Sequence, residues 1–401
     1  MDSDPHAPIY LDHAATSWPK PAPVVQAIVD HYAVAGGNPG RSGHRMSVEA
    51  ARLVTRTREA VAELLGAPDA SRIAFTSNAT TALNVALYGL LRPGHHVVTT
   101  SLEHNSVMRP LRDLERRGVD LTVIACGPDG SLDVDAVRRA VRPTTTLIAA
   151  THASNVLGTV VPVAELTALA RSAGVLTLID AAQTAGTWPI NIAALDVDLL
   201  AFTGHKGLLG PTGTGGLYVR EGVALHPTVR GGTGSESAHE DQPTFMPDAL
   251  ESGTPNVAGL AGLDAALAVL RDIGVDAVRA HEHALVARFL EGAADIPTLT
   301  VHGPRDAARR CGVVSMTLDG VTPSDVGLLL DDRFGIMTRA GLHCAPAAHR
   351  TAGTFPSGTV RLSVGWSTTT TDIDRTLDAL RHIASWARAD STRADQAPAE
   401  R

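Results

Sequence analysis

Residues 175–210 read VLTLIDAAQTAGTWPINIAALDVDLLAFTGHKGLLG. Two runs in this stretch, 175–180 and 198–203, are apolar almost throughout, the pattern of strands covered on both faces. Each ends in polar residues: Asp180 with Gln183 three positions on, and then Thr203, Gly204, His205, Lys206 and Gly207. Working outward, the same alternation repeats. Helical segments are expected at 79–91, 106–117, 133–141 and 163–173, and strands at 95–100, 119–125, 145–151 and 215–219. The spacing predicts an α/β fold, a large domain with a mostly parallel sheet covered by helices. After about residue 255 the texture changes to two long helices, 257–273 and 275–295, strands near 312–318 and 359–364, and an amphipathic helix at 371–388. The expected organisation is an N-terminal segment 1–20 lying back over one of the domains, a large domain 21–255, a smaller α+β C-terminal domain 256–388, and a frayed polar tail 389–401.

Ligands of open α/β sheets sit outside the carboxyl ends of the strands. Two strand ends would present Asp180 and Lys206 to one crevice. A lysine for a Schiff base and a carboxylate for a pyridinium nitrogen are what pyridoxal phosphate needs. The plainer alternative makes Asp180 a turn cap and Lys206 a surface lysine; the strand-end placement of both, with glycines flanking His205–Lys206, favours the paired site. At 75–84, FTSNATTALN, a strand ends and a helix begins inside a Ser/Thr/Asn cluster, which suits either a phosphate or an ordinary helix cap. SLEHNS at 101–106 puts His104 at another strand end, where it could stack on a ring, handle protons or simply belong to a loop. TRAGLHC at 338–344 and TVRLS at 359–363 bring Cys344, His343, Arg339 and Arg361 into view. The arginines could activate the thiol or clamp a carboxylate bidentately, and His343 beside it could likewise raise the thiolate fraction.

Composition narrows the alternatives. The chain has 401 residues, 44% apolar, with only 3% aromatic and a net charge of −8. Disorder, a stacking platform for single-stranded nucleic acid, and anionic nucleic acid or membrane partners are poorly matched by these values. The three cysteines, Cys126, Cys311 and Cys344, are far apart and form no CxxC. This spacing suggests a reducing compartment and a cytoplasmic protein. No signal peptide, membrane span or metal-ligand cluster is read.

The motifs taken together resemble a class V (fold-type I) pyridoxal-phosphate enzyme, specifically the cysteine desulfurase group related to selenocysteine lyase. The resemblance is carried by YLDHAATSWPKP (10–21), GNPGRSGHRMS (37–47), FTSNATTALN, SLEHNS, HASNVLGTVVPV (152–163), Asp180/Gln183, TGHKGLLGPTGTGGLYV (203–219), ESGTPN (251–256) and RAGLHCAP (339–346). It implies pyridoxal 5′-phosphate as cofactor, with Lys206 as the Schiff-base lysine, Asp180 on the pyridine nitrogen, Gln183 on the ring hydroxyl and His104 stacked on the ring. Thr80, Thr203 and His205 would hold the phosphate, and Thr254 would reach it from a partner subunit, making a homodimer with a shared site. Ala79 departs from relatives that carry a hydroxyl there, so backbone N–H groups would take its share. Asn155, Arg339 and Arg361 would hold the carboxylate of L-cysteine, or of L-selenocysteine. Cys344 would be the nucleophile that keeps the sulfur as a persulfide before passing it to an acceptor protein. Other readings are a selenocysteine lyase, another C–S lyase, a class V aminotransferase, or a non-catalytic sulfur-transfer scaffold.

Overall fold

A computed structural model of the chain describes residues 8–396, apart from residue 35 and residues 40–42. Part of the 37–47 motif, the first residues of the expected N-terminal segment and the last residues of the expected tail therefore lie outside the described residues. The strands are β1 (Ile9–Tyr10), β2 (Ile73–Thr76), β3 (His96–Thr100), β4 (Asp120–Ile124), β5 (Thr145–Thr151), β6 (Leu176–Asp180), β7 (Leu199–Thr203), β8 (Gly215–Val219), β9 (Leu299–His302), β10 (Val313–Leu318), β11 (Ile336–Met337), β12 (Arg339–Gly341) and β13 (Thr359–Ser363).

Seven of them form one sheet in the order β2-β8-β7-β6-β5-β3-β4. Only β8 runs against the rest, antiparallel to both β2 and β7. The central strands are buried at nearly every residue, because helices cover both faces. One face packs Val61, Leu65, Leu200, Phe202 and Leu263; the two other clusters of this sheet are built around Leu83, Val97 and Leu147, and around Val98, Ile148 and Leu166. This is the expected α/β class with a mostly parallel sheet.

A four-stranded antiparallel sheet, β12-β13-β10-β9, follows in the C-terminal part. Its core gathers Phe289, Val314, Leu362, Ile373 and Leu380 with Ile9 and Leu11 from the N-terminal segment. β1 pairs in parallel with β11, and Asp12 bridges to Ser363. The N-terminal segment thus completes the C-terminal core. The last helix runs Thr370–Gln396, past the expected end at 388, so the first residues assigned to a frayed tail continue that helix. No described helix is long and apolar enough to cross a membrane.

The carboxyl ends of β5 and β6 lie level in the large sheet, and that of β7 reaches two residues further. Thr151 of β5 is in register with Asp180 of β6, Asp180 with Ala201 of β7, and Thr203 with Gly215. The site is built on this edge.

Candidate active site

A cavity at the strand ends is lined by Asn78, Ala79, Thr80, His104, Ser106, Thr151, Ala153, Asn155, Asp180, Ala182, Gln183, Thr203, His205 and Lys206. It holds about 460 Å³ of empty space, its open mouth included, within the range of small-ligand sites. Most residues singled out from the sequence meet here: Ala79, Thr80, His104, Asn155, Asp180, Gln183, Thr203, His205 and Lys206.

One end of the cavity suits an anion. Asn78 caps helix Ala79–Leu90, its Oδ1 accepting from Thr81 N–H at 2.9 Å. The N–H groups of the first turn and the Thr80 hydroxyl lie at a helix N-terminus, which carries partial positive charge. His205 Nδ1 is buried with no partner, and burial pushes the His205 pKa down to about 4. A buried ring nitrogen left unpaired in a cavity beside a helix N-terminus is matched by phosphate oxygens.

The other end holds the acid and the amine. Asp180 is buried, and its Oδ1 accepts from Ala182 N–H at 2.9 Å. Desolvation raises its pKa, while Lys206 opposes the shift. Lys206 is pushed down to about 8 by desolvation, with Asp180 acting in the opposite sense. Roughly a tenth of such amines are neutral at pH 7, against well under a thousandth for a free lysine. His104 caps helix Asn105–Arg116; its Nδ1 accepts from Ser106 N–H at 3.0 Å. Burial holds the ring neutral, with its pKa lowered to about 4, so its proton sits on Nε2. The donor set fits pyridoxal 5′-phosphate: an anion cradle at one end, and a carboxyl and a lysine at the other.

Gln183 donates from Nε2 to Ala14 O at 3.2 Å, which ties it to the N-terminal segment. Arg361 does not line the cavity. It is almost wholly buried, with Nη2 donating to Asp12 Oδ1 at 2.6 Å and Nη1 to Asn155 O at 3.1 Å. β12 and β13 pair Arg339 opposite Arg361. Arg339 is half-buried, and both arginines depress the Lys206 pKa. Thr254 is exposed and lines a separate groove with Ser77, Thr81 and Gly213. Within one chain it is not part of the Lys206 cavity.

Cys344 is exposed on the turn after β12. His343 and Cys344 both have left-handed backbones, φ 48° and 57°. Two consecutive side-chain-bearing residues in that region are strained and need outside support. Asn155 Nδ2 donates to His343 O at 2.8 Å, and Asn105 N–H donates to Cys344 O at 2.8 Å. The cavity wall thus holds the cysteine turn. The sequence suggested His343 as a positive neighbour that activates the thiol. The structure corrects this: His343 is buried, bonded through Nε2 to Thr359 Oγ1 at 3.0 Å, and desolvation drives its pKa far down, so it is neutral. Cys311, by contrast, is a core thiol pushed up to about 12 by burial.

Sequence reading passed over Asp12, Glu103, Thr16, Ser17 and Lys20. Glu103 is fully buried beneath the site. Its Oε1 accepts from Thr100 Oγ1 at 2.7 Å and Thr151 N–H at 3.0 Å, its Oε2 has no partner, and burial raises its pKa to about 8. An acid beside His104 in SLEHNS, directly after an apolar strand, was the available signal.

The family model described as Aminotransferase class-V matches residues 9–376. The chain belongs to the class-V aminotransferase family. Among class-V relatives, it is 35% identical over 382 residues to a probable cysteine desulfurase of Methanothermobacter thermautotrophicus, covering 94% of each chain. It is similar to the apo structure of a cysteine desulfurase from Thermococcus onnurineus, with TM-score 0.89, 35% identity, and 94% and 95% of the two chains covered. A cysteine desulfurase from Escherichia coli, solved as an S-sulfonic acid form, superposes with TM-score 0.85 at 30% identity, covering 94% and 95%.

Proposed function

We propose that this class-V protein is a pyridoxal 5′-phosphate-dependent cysteine desulfurase, which converts L-cysteine to L-alanine and leaves the sulfur on Cys344 for an acceptor protein. The observation that carries the reading is the tether between two halves of a site. Asn155 lines the cavity that holds Lys206 and Asp180, and the same side chain fixes the turn that exposes Cys344.

Thr80, Thr203, His205 and the helix N–H groups at Ala79 would hold the phosphate, and Lys206 would bind the cofactor covalently. When bound, pyridoxal phosphate supplies an electron sink for negative charge at the substrate Cα. Asp180 would set its carboxylate against the pyridine nitrogen, where its negative charge would favour the protonated ring. Gln183 would bond the ring hydroxyl, and the neutral His104 ring would cover the cofactor's face. Arg361, Arg339 and Asn155 would orient the substrate carboxylate. Lys206, with its lowered pKa, would take the Cα proton once its amine is displaced by the substrate. The Cys344 thiolate attacks the substrate sulfur. The S–S bond forms as the Cβ–S bond breaks; the carbon keeps that electron pair and is protonated, giving alanine. The exposed turn then lets the persulfide reach an acceptor.

In this reading residues 21–255 form the cofactor-binding domain and 256–388 the domain that carries the cysteine turn. The working unit is a cytoplasmic homodimer in which Thr254, exposed in the single chain, reaches the partner's phosphate site. The test is the product balance of the holoenzyme supplied with L-cysteine and a thiol reductant. Alanine and sulfide in equal amounts support the assignment. Pyruvate and ammonia with sulfide would replace it by a C–S lyase.

A further inference from the structure

The N-terminal segment converges on one peptide. The carbonyl of His205, which joins His205 to Lys206, meets four donor atoms: Ser17 N–H at 2.9 Å, Thr16 Oγ1 at 3.0 Å, Ser17 Oγ at 3.3 Å and Lys20 Nζ at 2.9 Å. A carbonyl oxygen has two lone pairs, so this acceptor is saturated. The donors are themselves held. Tyr10 Oη donates to Thr16 O at 2.8 Å, and Lys20 Nζ also donates to Ser17 Oγ at 2.7 Å. Lys20 immediately precedes Pro21 and helix Ala22–Val34, so its backbone is fixed on its C-terminal side.

Lys20 is the unusual member. It is half-buried, desolvation lowers its pKa to about 8, and its ammonium makes no ion pair among the described residues. A partly buried ammonium with no acid beside it costs stability. Here its charge-assisted hydrogen bond falls on the main chain of Lys206, the only other lysine in the sequence. That carbonyl separates two side chains that line the cavity, His205 at the anion end and Lys206 at the amine end.

We propose that Lys20 is a positioning residue for Lys206. With Thr16 and Ser17 it locks the His205–Lys206 peptide, so that Lys206 moves by side-chain rotation alone while His205 keeps its place. The inference rests on the cofactor reading given above. A reactive group displaced by about 1 Å loses on the order of a hundredfold in rate. The clamp therefore governs how fast Lys206 reacts, and affects cofactor and substrate affinity little.

The test uses full-length Lys20→Met and Lys20→Arg, with Thr16→Val/Ser17→Ala removing the two hydroxyl donors to the same oxygen. Apo-protein is mixed with pyridoxal phosphate. Total binding is read by ultrafiltration, and covalent attachment by the absorbance band of the lysine-bound cofactor and by borohydride trapping with peptide mapping. Lys20→Met should bind pyridoxal phosphate within about threefold of wild type but attach it to Lys206 roughly ten- to a hundredfold more slowly. Its kcat for L-cysteine should fall by a similar factor with KM within about threefold. Lys20→Arg, which keeps charge and donors, should recover most of both rates. The Thr16→Val/Ser17→Ala variant should show the same split in milder form. Attachment rate and kcat within about twofold of wild type in folded Lys20→Met would overturn the proposal. So would loss of the fold in Lys20→Met together with wild-type attachment in Thr16→Val/Ser17→Ala. A borohydride tag in the wild type on Lys20 instead of Lys206 would refute the cofactor reading itself.

Discussion

Arg361→Ala should damage both the fold and substrate binding, and the two losses can be separated. The Arg361 side chain is 2% exposed and its partner Asp12 22%. Unit charges about 4 Å apart attract by about 4 kcal/mol at an effective dielectric near 20. Deleting one member of such a pair strands the other and typically costs about 3–5 kcal/mol. Arg361→Ala also strands the Asn155 carbonyl, which accepts from Nη1 at 3.1 Å. Equilibrium urea unfolding of wild type, Arg361→Ala, Asp12→Asn and the double variant forms a mutant cycle. The expected coupling is about 2–4 kcal/mol, well above an exposed ion pair. In kinetics, loss of a charge-assisted contact to the substrate carboxylate removes roughly 1.5–3 kcal/mol, so KM for L-cysteine should rise about ten- to a hundredfold. Asp12→Asn leaves the guanidinium in place and should change KM far less. A coupling below about 0.5 kcal/mol, or an unchanged KM in Arg361→Ala, would refute this account of the arginine.

Three further outcomes follow from the same geometry. Asp180→Asn keeps size but loses the acid, so α-proton exchange on bound alanine, followed by NMR in D₂O, should slow sharply while cofactor binding changes little. Burial raises the Glu103 and Glu282 carboxyls to about 8, above their unfolded values. Between about pH 4.5 and 8 the folded state therefore holds protons that the unfolded state has released, and stability falls as pH rises through that window, by at most about 1.4 kcal/mol per pH unit per group. Glu103→Gln should flatten the slope of the urea midpoint across that window; an unchanged slope would show that Glu103 is ionised in the fold. His343→Gln should leave the pH dependence of Cys344 alkylation by iodoacetamide unmoved, because the buried ring carries no charge to lose.

The sheet was legible because its strands are apolar on both faces. The runs at 145–151, 175–180 and 198–203 match a doubly covered sheet, and they fall within a residue of β5, β6 and β7. Lys206 and Asp180 were legible because each closes such a run. Helix Ala22–Val34 was passed over: it starts between prolines, and Val25, Val29 and Tyr32 stay exposed, so no single apolar stripe faces a core. β12 is not legible in the sequence, since three residues held by pairing with β13 carry no periodic signal. The role of Asp12 was hidden for a different reason. It meets Arg361 across 349 positions of chain, and the bridge from Asp12 to Ser363 of β13 brings the two together. The neutrality of His343 also depends on burial, which a lone histidine beside a cysteine does not reveal.

The most direct test of the central claim is a single turnover of the holoenzyme with L-cysteine, quenched and mapped by mass spectrometry without reductant. The account predicts one added sulfur, about 32 Da, on the peptide that contains Cys344, formed in step with one alanine and absent from Cys344→Ser, which should still bind pyridoxal phosphate. Sulfur on the peptides of Cys126 or Cys311 instead, or full alanine production by Cys344→Ser, would contradict it.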